Sequence, residues 1–138
     1  MKKSIIISQK DYKILIKILD RASFVDPVQK ACLNRLLLEL ERATIVADDQ
    51  LPDNVVRFGS TIDIEIPMGV KDGLTIVLPE EADFNRKKIS VISPLGSAIL
   101  GYQEGDVIHW PLRNGTQSII ICKVDNSGLK KVKGPIRV

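Results

Sequence analysis

The hydrophobic side chains of this chain change their spacing near residue 48. Before that point apolar residues recur every three or four positions, as at Leu33, Leu36 and Leu40, which is the spacing of one face of an amphipathic helix. After it they alternate with polar residues, as in Thr61–Ile66, which is the spacing of a strand with one buried face. The chain is therefore predicted to be an α+β protein, with helices first and a sheet second.

Two helices are predicted in the first half, over residues 9–21 and 27–47, after a short extended segment. Ser8 is placed to cap the first helix, and Asp11 three positions later completes a capping-box pattern. Pro27 suits the first turn of the second helix, where its missing N–H costs nothing. The apolar stripes of the two helices are expected to face each other and to form an antiparallel hairpin.

The hairpin makes up a predicted first domain, residues 1–50, and its tip includes Phe24 and Asp26. At about 1.5 Å per residue, the second helix would be only about 32 Å long and the first about 20 Å. The predicted hairpin is therefore short.

Residues 51–138 are predicted to be a second domain built on an antiparallel sheet of five or six strands with one short helix. The pair Asn114 and Gly115 is a strong signal for a hairpin between the last two strands. The β-rich runs, bounded by Gly, Pro or Asn, are residues 61–66, 73–78, 88–92, 107–112 and 116–124.

The short helix of this domain follows the strand predicted at residues 88–92. Ser93 is placed to cap it, and Pro94 occupies its first position, where a fixed φ is already helical. Gly101 supplies the helix stop, and Gly96 is expected to meet a steric requirement. This segment predicts a strand, a capped helix of about two turns and a turn.

Composition narrows the classes of function. The chain is 44% apolar and 27% charged, which is typical of a folded domain, and no apolar run approaches the roughly 20 residues of a membrane span, so we expect a cytoplasmic protein. Cys32 and Cys122 lie in apolar periodic segments and are expected to be reduced core thiols. With one histidine, no metal site or other cofactor is expected.

Charge does not favour direct binding to nucleic acid. The formal net charge is only +3, and six aromatic residues do not interleave with basic ones as in single-strand binding platforms. Four basic residues lie in the last nine positions, at Lys130, Lys131, Lys133 and Arg137, and leave the rest of the chain near neutral. We expect contact with nucleic acid to be indirect.

Residues 81–84 (EADF) and 89–94 (ISVISP) resemble the C-terminal domain of the Gre-type transcript-cleavage factors, and the order of the two domains is similar as well. Those factors bind bacterial RNA polymerase at its secondary channel. The resemblance implies an FKBP-like fold for the sheet domain, RNA polymerase as the partner, and no enzyme activity of the chain itself.

The hairpin departs from that family. Gre factors present a pair of carboxylates at the tip of a long coiled coil, which help to hold the catalytic Mg²⁺ of the polymerase. Here Asp26 is followed three residues later by Gln29, and Asp20 is next to Arg21, so neither belongs to an acidic pair.

Within the family, residues 4–8 (SIIIS) and 105–110 (GDVIHW) are similar to the subgroup of regulators of nucleoside diphosphate kinase. We therefore expect a monomeric regulator that occupies the rim of the secondary channel and competes with other factors there without stimulating cleavage.

The resemblance points to three residues as polymerase contacts, namely Asp83, Ser93 and Pro94. Asp83 lies in a loop between two strands, where sheet pairing does not need acids, but it is also compatible with a solvated turn. Ser93 and Pro94 have a structural explanation as the cap and first-turn residues of the short helix, and the exposed start of that helix is the alternative docking surface.

Two other functions stay open. A prolyl isomerase shares the predicted fold, although 4% aromatic content is low for lining such a pocket and filling a core as well. A direct modulator of a metabolic kinase is suggested by the name of the subgroup alone.

Overall fold

The computed structural model describes residues 4–21, 27–112, 115–127 and 129. Three short 3₁₀ turns lie at Asp48–Gln50, Pro79–Glu81 and Phe84–Arg86. The helices and strands, in chain order, are β1 (Ile6–Ser8), α1 (Gln9–Arg21), α2 (Pro27–Arg42), β2 (Thr44–Val46), β3 (Thr61–Ile66), β4 (Gly69–Val77), β5 (Lys88–Ser90), α3 (Pro94–Ile99), β6 (Val107–Leu112) and β7 (Gly115–Asp125).

Helix α1 has the predicted bounds, and its cap is Ser8, whose Oγ accepts a hydrogen bond from the backbone N–H of Asp11 at 3.1 Å. The predicted role of the Asp11 side chain in a capping box is wrong. The Asp11 carboxylate instead accepts a hydrogen bond from the backbone N–H of Phe58, 47 residues away, at 3.2 Å. A side chain predicted to act within its own helix therefore joins α1 to the second half of the chain.

Helix α2 begins at Pro27 as predicted but ends at Arg42, so the predicted extension to residue 47 is wrong. Residues 44–46 form β2, which pairs in parallel with β1. Thr44, Ile45 and Val46 are all β-branched and favour strands. The partner that completes this pairing is almost 40 residues earlier in the chain, with Ile6 opposite Thr44, so the helical period could not reveal it.

The remaining strands form a five-stranded sheet in the order β5-β4-β3-β7-β6. Neighbouring strands are antiparallel except β4 and β5, which pair in parallel, so the expectation of a purely antiparallel sheet is wrong at β5. Pairing of Leu112 with Gly115 confirms the β6–β7 hairpin, whose turn residues lie outside the described part of the chain. On β3 the predicted alternation is confirmed, because Ile62 and Ile64 are fully buried between more exposed neighbours.

Cys122 occupies an irregular position in the sheet. Asp63 of β3 pairs with Lys123 and the next residue, Ile64, pairs with Ile121, so Cys122 is an extra residue on β7. Such a bulge interrupts the alternation of faces, and Cys122 is exposed rather than buried. The prediction of a core thiol is therefore wrong at this position, and the Cys32 side chain lies outside the described residues.

Buried residues from both halves belong to one hydrophobic cluster. Leu15, Leu33 and Leu36 of the helices share it with Ile64 and Ile99. Helix α2 packs on α3, and α1 lies against β1 and β2. Both helices therefore contribute side chains to a core that they share with the second half of the chain. The division into domains at residue 50, the hairpin geometry and the FKBP-like assignment stay predictions.

Within the described ranges, none of the helices combines the length and the apolar character needed to cross a lipid bilayer.

Candidate functional site

Asp83 lies in the connection between β4 and β5 and fixes the turn in which it sits. Its Oδ1 accepts a hydrogen bond from the backbone N–H of Asn85 at 3.1 Å, and its Oδ2 lies 3.7 Å from Nε of Arg86. Its backbone exchanges two hydrogen bonds with Lys88, each 2.9 Å long. The side chain is still 43% exposed, so Asp83 caps a 3₁₀ turn and keeps an accessible carboxylate.

Phe84 follows Asp83 in the same turn and is 89% exposed. Large aromatic side chains are seldom left so open, and they are enriched among the residues that carry the binding energy of protein interfaces. Backbone hydrogen bonds on both sides hold the turn, because Lys87 N–H donates to the Phe84 carbonyl at 3.0 Å. Sequence reasoning missed this residue, although an aromatic side chain in an acidic turn was a visible signal.

Ser93 and Pro94 lie beyond the other end of β5, at the start of α3. The predicted cap is confirmed, since Ser93 Oγ accepts from the backbone N–H of Gly96 at 3.0 Å and donates to the Ser90 carbonyl at 2.7 Å. Gly96 has the predicted steric reason, because a Cβ there would lie 2.1 Å from the Ser90 carbonyl oxygen. The structure therefore places Asp83 and Ser93 at opposite ends of one short strand, each with a structural function of its own.

The hairpin-tip candidates Phe24 and Asp26 lie outside the described residues, as do the basic positions after residue 129.

Arg57 is the centre of a polar cluster that joins three parts of the chain. Its Nη2 donates to Oδ1 of Asp48 at 2.6 Å, and its Nε lies 3.8 Å from Oδ2 of Asp11. The Asp11 and Arg57 side chains are only 3% and 11% exposed. Burial raises the pKa of Asp11 above its ordinary value, and the charge of Arg57 opposes that rise. We call Asp11, Asp48 and Arg57 the Arg57 cluster.

A cavity of about 300 Å³ opens beside the Arg57 cluster. Charged groups from Lys10, Asp11, Arg57 and Glu81 lie on its wall, and the rest is mainly apolar. The other lining residues are Ile14, Phe58, Gly59, Ile76, Val77, Leu78 and Leu129. Positive and negative groups are equal in number and the guanidinium already contacts two carboxylates, so the cavity shows no preference for one class of ligand.

A second polar cluster joins α2 to the segment after α3. The hydroxyl of Tyr102 donates to Oε2 of Glu39 at 2.7 Å, and Glu39 is only 8% exposed. Nε of Arg35 lies 4.0 Å from the same oxygen, and its Nη2 reaches the carbonyl of His109 at 3.4 Å. Burial, with a smaller contribution from Glu39, raises the pKa of Tyr102, so its hydroxyl stays protonated. We call Arg35, Glu39 and Tyr102 the Tyr102 cluster.

In the part of the chain that the structure describes, no three His, Cys, Asp or Glu side chains converge as metal ligands would.

Comparison with known proteins finds a family match in the second half of the chain. Residues 51–126, which include the whole five-stranded sheet and α3, match the family model described as transcription elongation factor, GreA/GreB, C-terminal. Transcription elongation factor GreA of Desulfovibrio desulfuricans is 36% identical over 85 residues, which are 61% of this chain and 52% of that protein. The regulator of nucleoside diphosphate kinase of Escherichia coli K12 is 33% identical over 81 residues, 56% of this chain and 57% of that protein. The chain thus matches little more than half the length of these relatives.

A solved structure extends the similarity to the helices. The prokaryotic transcription elongation factor GreA/GreB from Nitrosomonas europaea superposes with a TM-score of 0.69 at 33% identity, over 90% of this chain and 99% of that one. The likeness therefore includes elements outside residues 51–126.

Proposed function

The chain belongs to the GreA/GreB family of transcription elongation factors, and from this we propose that it binds bacterial RNA polymerase and regulates transcription in the cytoplasm. The family match over residues 51–126 carries the proposal. It covers the half of the chain that presents Asp83 and Phe84 on one fixed turn and the Ser93 cap at the other end of β5. This half would dock on the rim of the secondary channel, while α1 and α2 occupy the channel entrance.

The regulator would act without stimulating transcript cleavage. Cleavage of the Gre kind needs carboxylates delivered to the polymerase metal ion at the right depth. At about 1.5 Å per residue, the 13 residues of α1 span about 20 Å and the 16 residues of α2 about 24 Å. Between the helices, residues 22–26 include a single acid, Asp26. A short hairpin without an acidic pair supports occupancy and competition rather than chemistry.

The partner would be the polymerase itself, with nucleic acid contacted only through the transcription complex. A single chain supplies both the docking half and the helices, so a monomer would suffice. The protein would have no enzyme activity of its own.

A second candidate function rests on one relative. The E. coli protein named regulator of nucleoside diphosphate kinase is 33% identical over 81 residues, which favours modulation of a metabolic kinase as the alternative. Capture from cell extract would separate the two, because the proposal predicts core RNA polymerase as the stoichiometric partner and the alternative predicts the kinase.

A change of charge at Asp83 tests the proposed docking surface more directly than capture from cell extract does. Asp83→Asn keeps a side chain that caps a turn but removes the negative charge. Exposed Glu80 in the preceding turn provides a matched control, Glu80→Gln, with the same loss of charge. We expect Asp83→Asn to weaken binding to core polymerase several-fold, mainly through a slower association rate with a weaker salt dependence, and Glu80→Gln to bind like the wild type.

Equal binding by wild type and Asp83→Asn would remove Asp83 from the docking surface. The proposed function itself would be wrong if the wild type formed no complex with core polymerase at micromolar concentration.

A further inference from the structure

The two polar clusters have a property in common, because each joins one helix to the sheet half of the chain. The Arg57 cluster attaches α1, and the Tyr102 cluster attaches α2. The contacts that attach the helices are far apart in sequence, with Asp11 and Phe58 separated by 47 positions and Glu39 and Tyr102 by 63.

At the first attachment, Asp11 contacts the segment that leads into β3 in two ways. It accepts a hydrogen bond from the Phe58 backbone at 3.2 Å and lies 3.8 Å from the Arg57 guanidinium. Arg57 in turn holds Asp48, in the linker between β2 and the sheet, at 2.6 Å. One guanidinium therefore fixes the start of α1 and the linker against the same short segment.

At the second attachment, the buried Glu39 carboxylate of α2 receives the Tyr102 hydroxyl at 2.7 Å. The position of Tyr102 is itself fixed by the backbone, since its carbonyl accepts from the N–H of Val56 at 2.8 Å and its N–H donates to the carbonyl of Ile99 at 3.1 Å. The direction of α2 is thus tied to a residue that backbone hydrogen bonds hold in the sheet half.

These clusters are poorly explained as sources of stability. Replacing buried charged groups by apolar side chains of similar size is often neutral or stabilising, because desolvation offsets the attraction. In the Tyr102 cluster, Nη1 of Arg35 is buried and has no hydrogen-bond partner among the described residues. Apolar contacts are non-directional, whereas charge-assisted hydrogen bonds select one geometry.

We propose that the two clusters act together as a latch that fixes the direction of α1 and α2 relative to the sheet half, with Arg57 and Tyr102 as positioning residues. The functional value of the latch rests on the proposed function, because helices that occupy a channel entrance must hold a fixed angle to the docking surface. Two other contacts offer a competing explanation for that angle. One is the pairing of β1 with β2, and the other is the hydrogen bond of 3.1 Å from the Ile6 N–H to the Gly101 carbonyl.

Distances between spin labels test the latch without any partner. The exposed native Cys122 on β7 carries one label, and Lys17→Cys on α1 or Lys30→Cys on α2 carries the other, with Cys32→Ala removing the remaining thiol. Glu39→Leu with Tyr102→Phe opens one cluster, and Asp11→Asn with Arg57→Met opens the other. The control, Asp72→Asn with Lys87→Met, removes an exposed ion pair of 3.1 Å between β4 and its neighbouring turn.

We expect narrow distance distributions in the wild type and in the control. The combined four-substitution variant should give distributions at least twice as wide on both helices, with unchanged helix content and a single cooperative melting transition. Each two-substitution variant should broaden mainly the distance to its own helix, which also gives the test if the combined variant does not fold. Distributions that stay narrow in the substituted variants would contradict the latch. They would mean that the pairing of β1 and the apolar core set the direction of the helices.

Polymerase assays on the same proteins separate this inference from the proposed function. If both are right, the combined variant binds core polymerase as well as the wild type but competes at least several-fold less well with a Gre factor. If the wild type does not bind polymerase, the proposed function fails, while the label distances still decide the latch.

Discussion

The sheet half and the helical half of this protein are held together by different kinds of contact. In the sheet half, most paired strands follow one another in the chain, as β3 and β4 or β6 and β7 do, although β3 also pairs with the distant β7. The α3 cap is closed within seven residues, from Ser90 to Gly96. The helical half depends on partners from elsewhere in the chain, namely Phe58 for Asp11, Tyr102 for Glu39 and Gly101 for Ile6. The comparison shows that the helices are an attached part of the molecule whose position is set by long-range contacts.

The largest effect we expect comes from the shared hydrophobic core. Leu36 of α2 and Ile64 of β3 are both fully buried in one cluster. Leu36→Ala and Ile64→Ala should each lower the free energy of unfolding by about 3 kcal/mol, because both leave a cavity in the same core. Urea unfolding followed by helical circular dichroism and by the single tryptophan should show one transition that moves as a whole.

Leu38 on the same helix is 58% exposed, and Leu38→Ala should change stability by no more than about 0.5 kcal/mol. Two separate transitions, with only one of them moved by Leu36→Ala, would contradict a shared core and favour independent domains divided at residue 50.

A smaller effect is expected at Gly96, which tests the local construction of the sheet half. Gly96→Ala places a Cβ 2.1 Å from the Ser90 carbonyl oxygen, so β5 and α3 must move apart. We expect a loss of about 2 kcal/mol in the free energy of unfolding, in spite of the better helix propensity of alanine.

Gly105 provides the control for Gly96. It has a positive φ of 92°, but no atom of the described residues lies within 4 Å of the position that a Cβ would take. Gly105→Ala should therefore cost about 1 kcal/mol from backbone strain alone. A stabilised Gly96→Ala protein would show that the packing of β5 on α3 is not tight.

The smallest effect concerns the charge of Asp11 in the Arg57 cluster. Burial raises its pKa above the ordinary 3.8, so the folded protein holds this proton more tightly than the unfolded chain does. The stability of the wild type relative to Asp11→Asn should therefore be highest at low pH and should fall as pH rises through the range above 3.8. Urea unfolding of both proteins from about pH 3 to about pH 7 measures this difference. A difference that grows with pH would mean that attraction to Arg57 outweighs burial.

The difference between the sheet half and the helical half also explains which features could be predicted from the sequence. The bounds of α1, β3 and β6 agree with the predictions, since each is marked by its own period and by a cap or turn nearby. The Ser93 cap and the need for glycine at Gly96 could also be predicted from the sequence. The hydrogen-bond donor and acceptor of the cap, and the carbonyl oxygen that a Cβ at Gly96 would meet, all lie within a few residues of each other.

Errors occurred where a distant partner decides the outcome. Residues 43–47 continue the helical period, yet β2 forms there because β1 offers a strand to pair with. Asp11 fits a capping box by spacing, but its carboxylate contacts Phe58 and Arg57. Cys122 lies in an apolar run that predicts a buried side chain, but a β-bulge at this position leaves it exposed.

At the candidate site, the sequence identified Asp83, Ser93 and Pro94 through family resemblance. It did not reveal the exposure of Phe84, since exposure depends on what the rest of the fold leaves uncovered. The two clusters were missed because nothing local pairs Glu39 with Tyr102 or Arg57 with Asp11.

Under the proposed function, this protein occupies the secondary-channel entrance without delivering the carboxylates that cleavage needs. Backtracked transcription complexes would be incubated with this protein, with a Gre cleavage factor, and with both, and the shortened transcripts counted. We expect no cleavage above background with this protein alone at saturating concentration, and cleavage by the Gre factor that falls as this protein is added, because two hairpins cannot occupy one entrance. Robust cleavage by this protein alone, or Gre-factor cleavage that is unaffected by a large excess of it, would contradict the account.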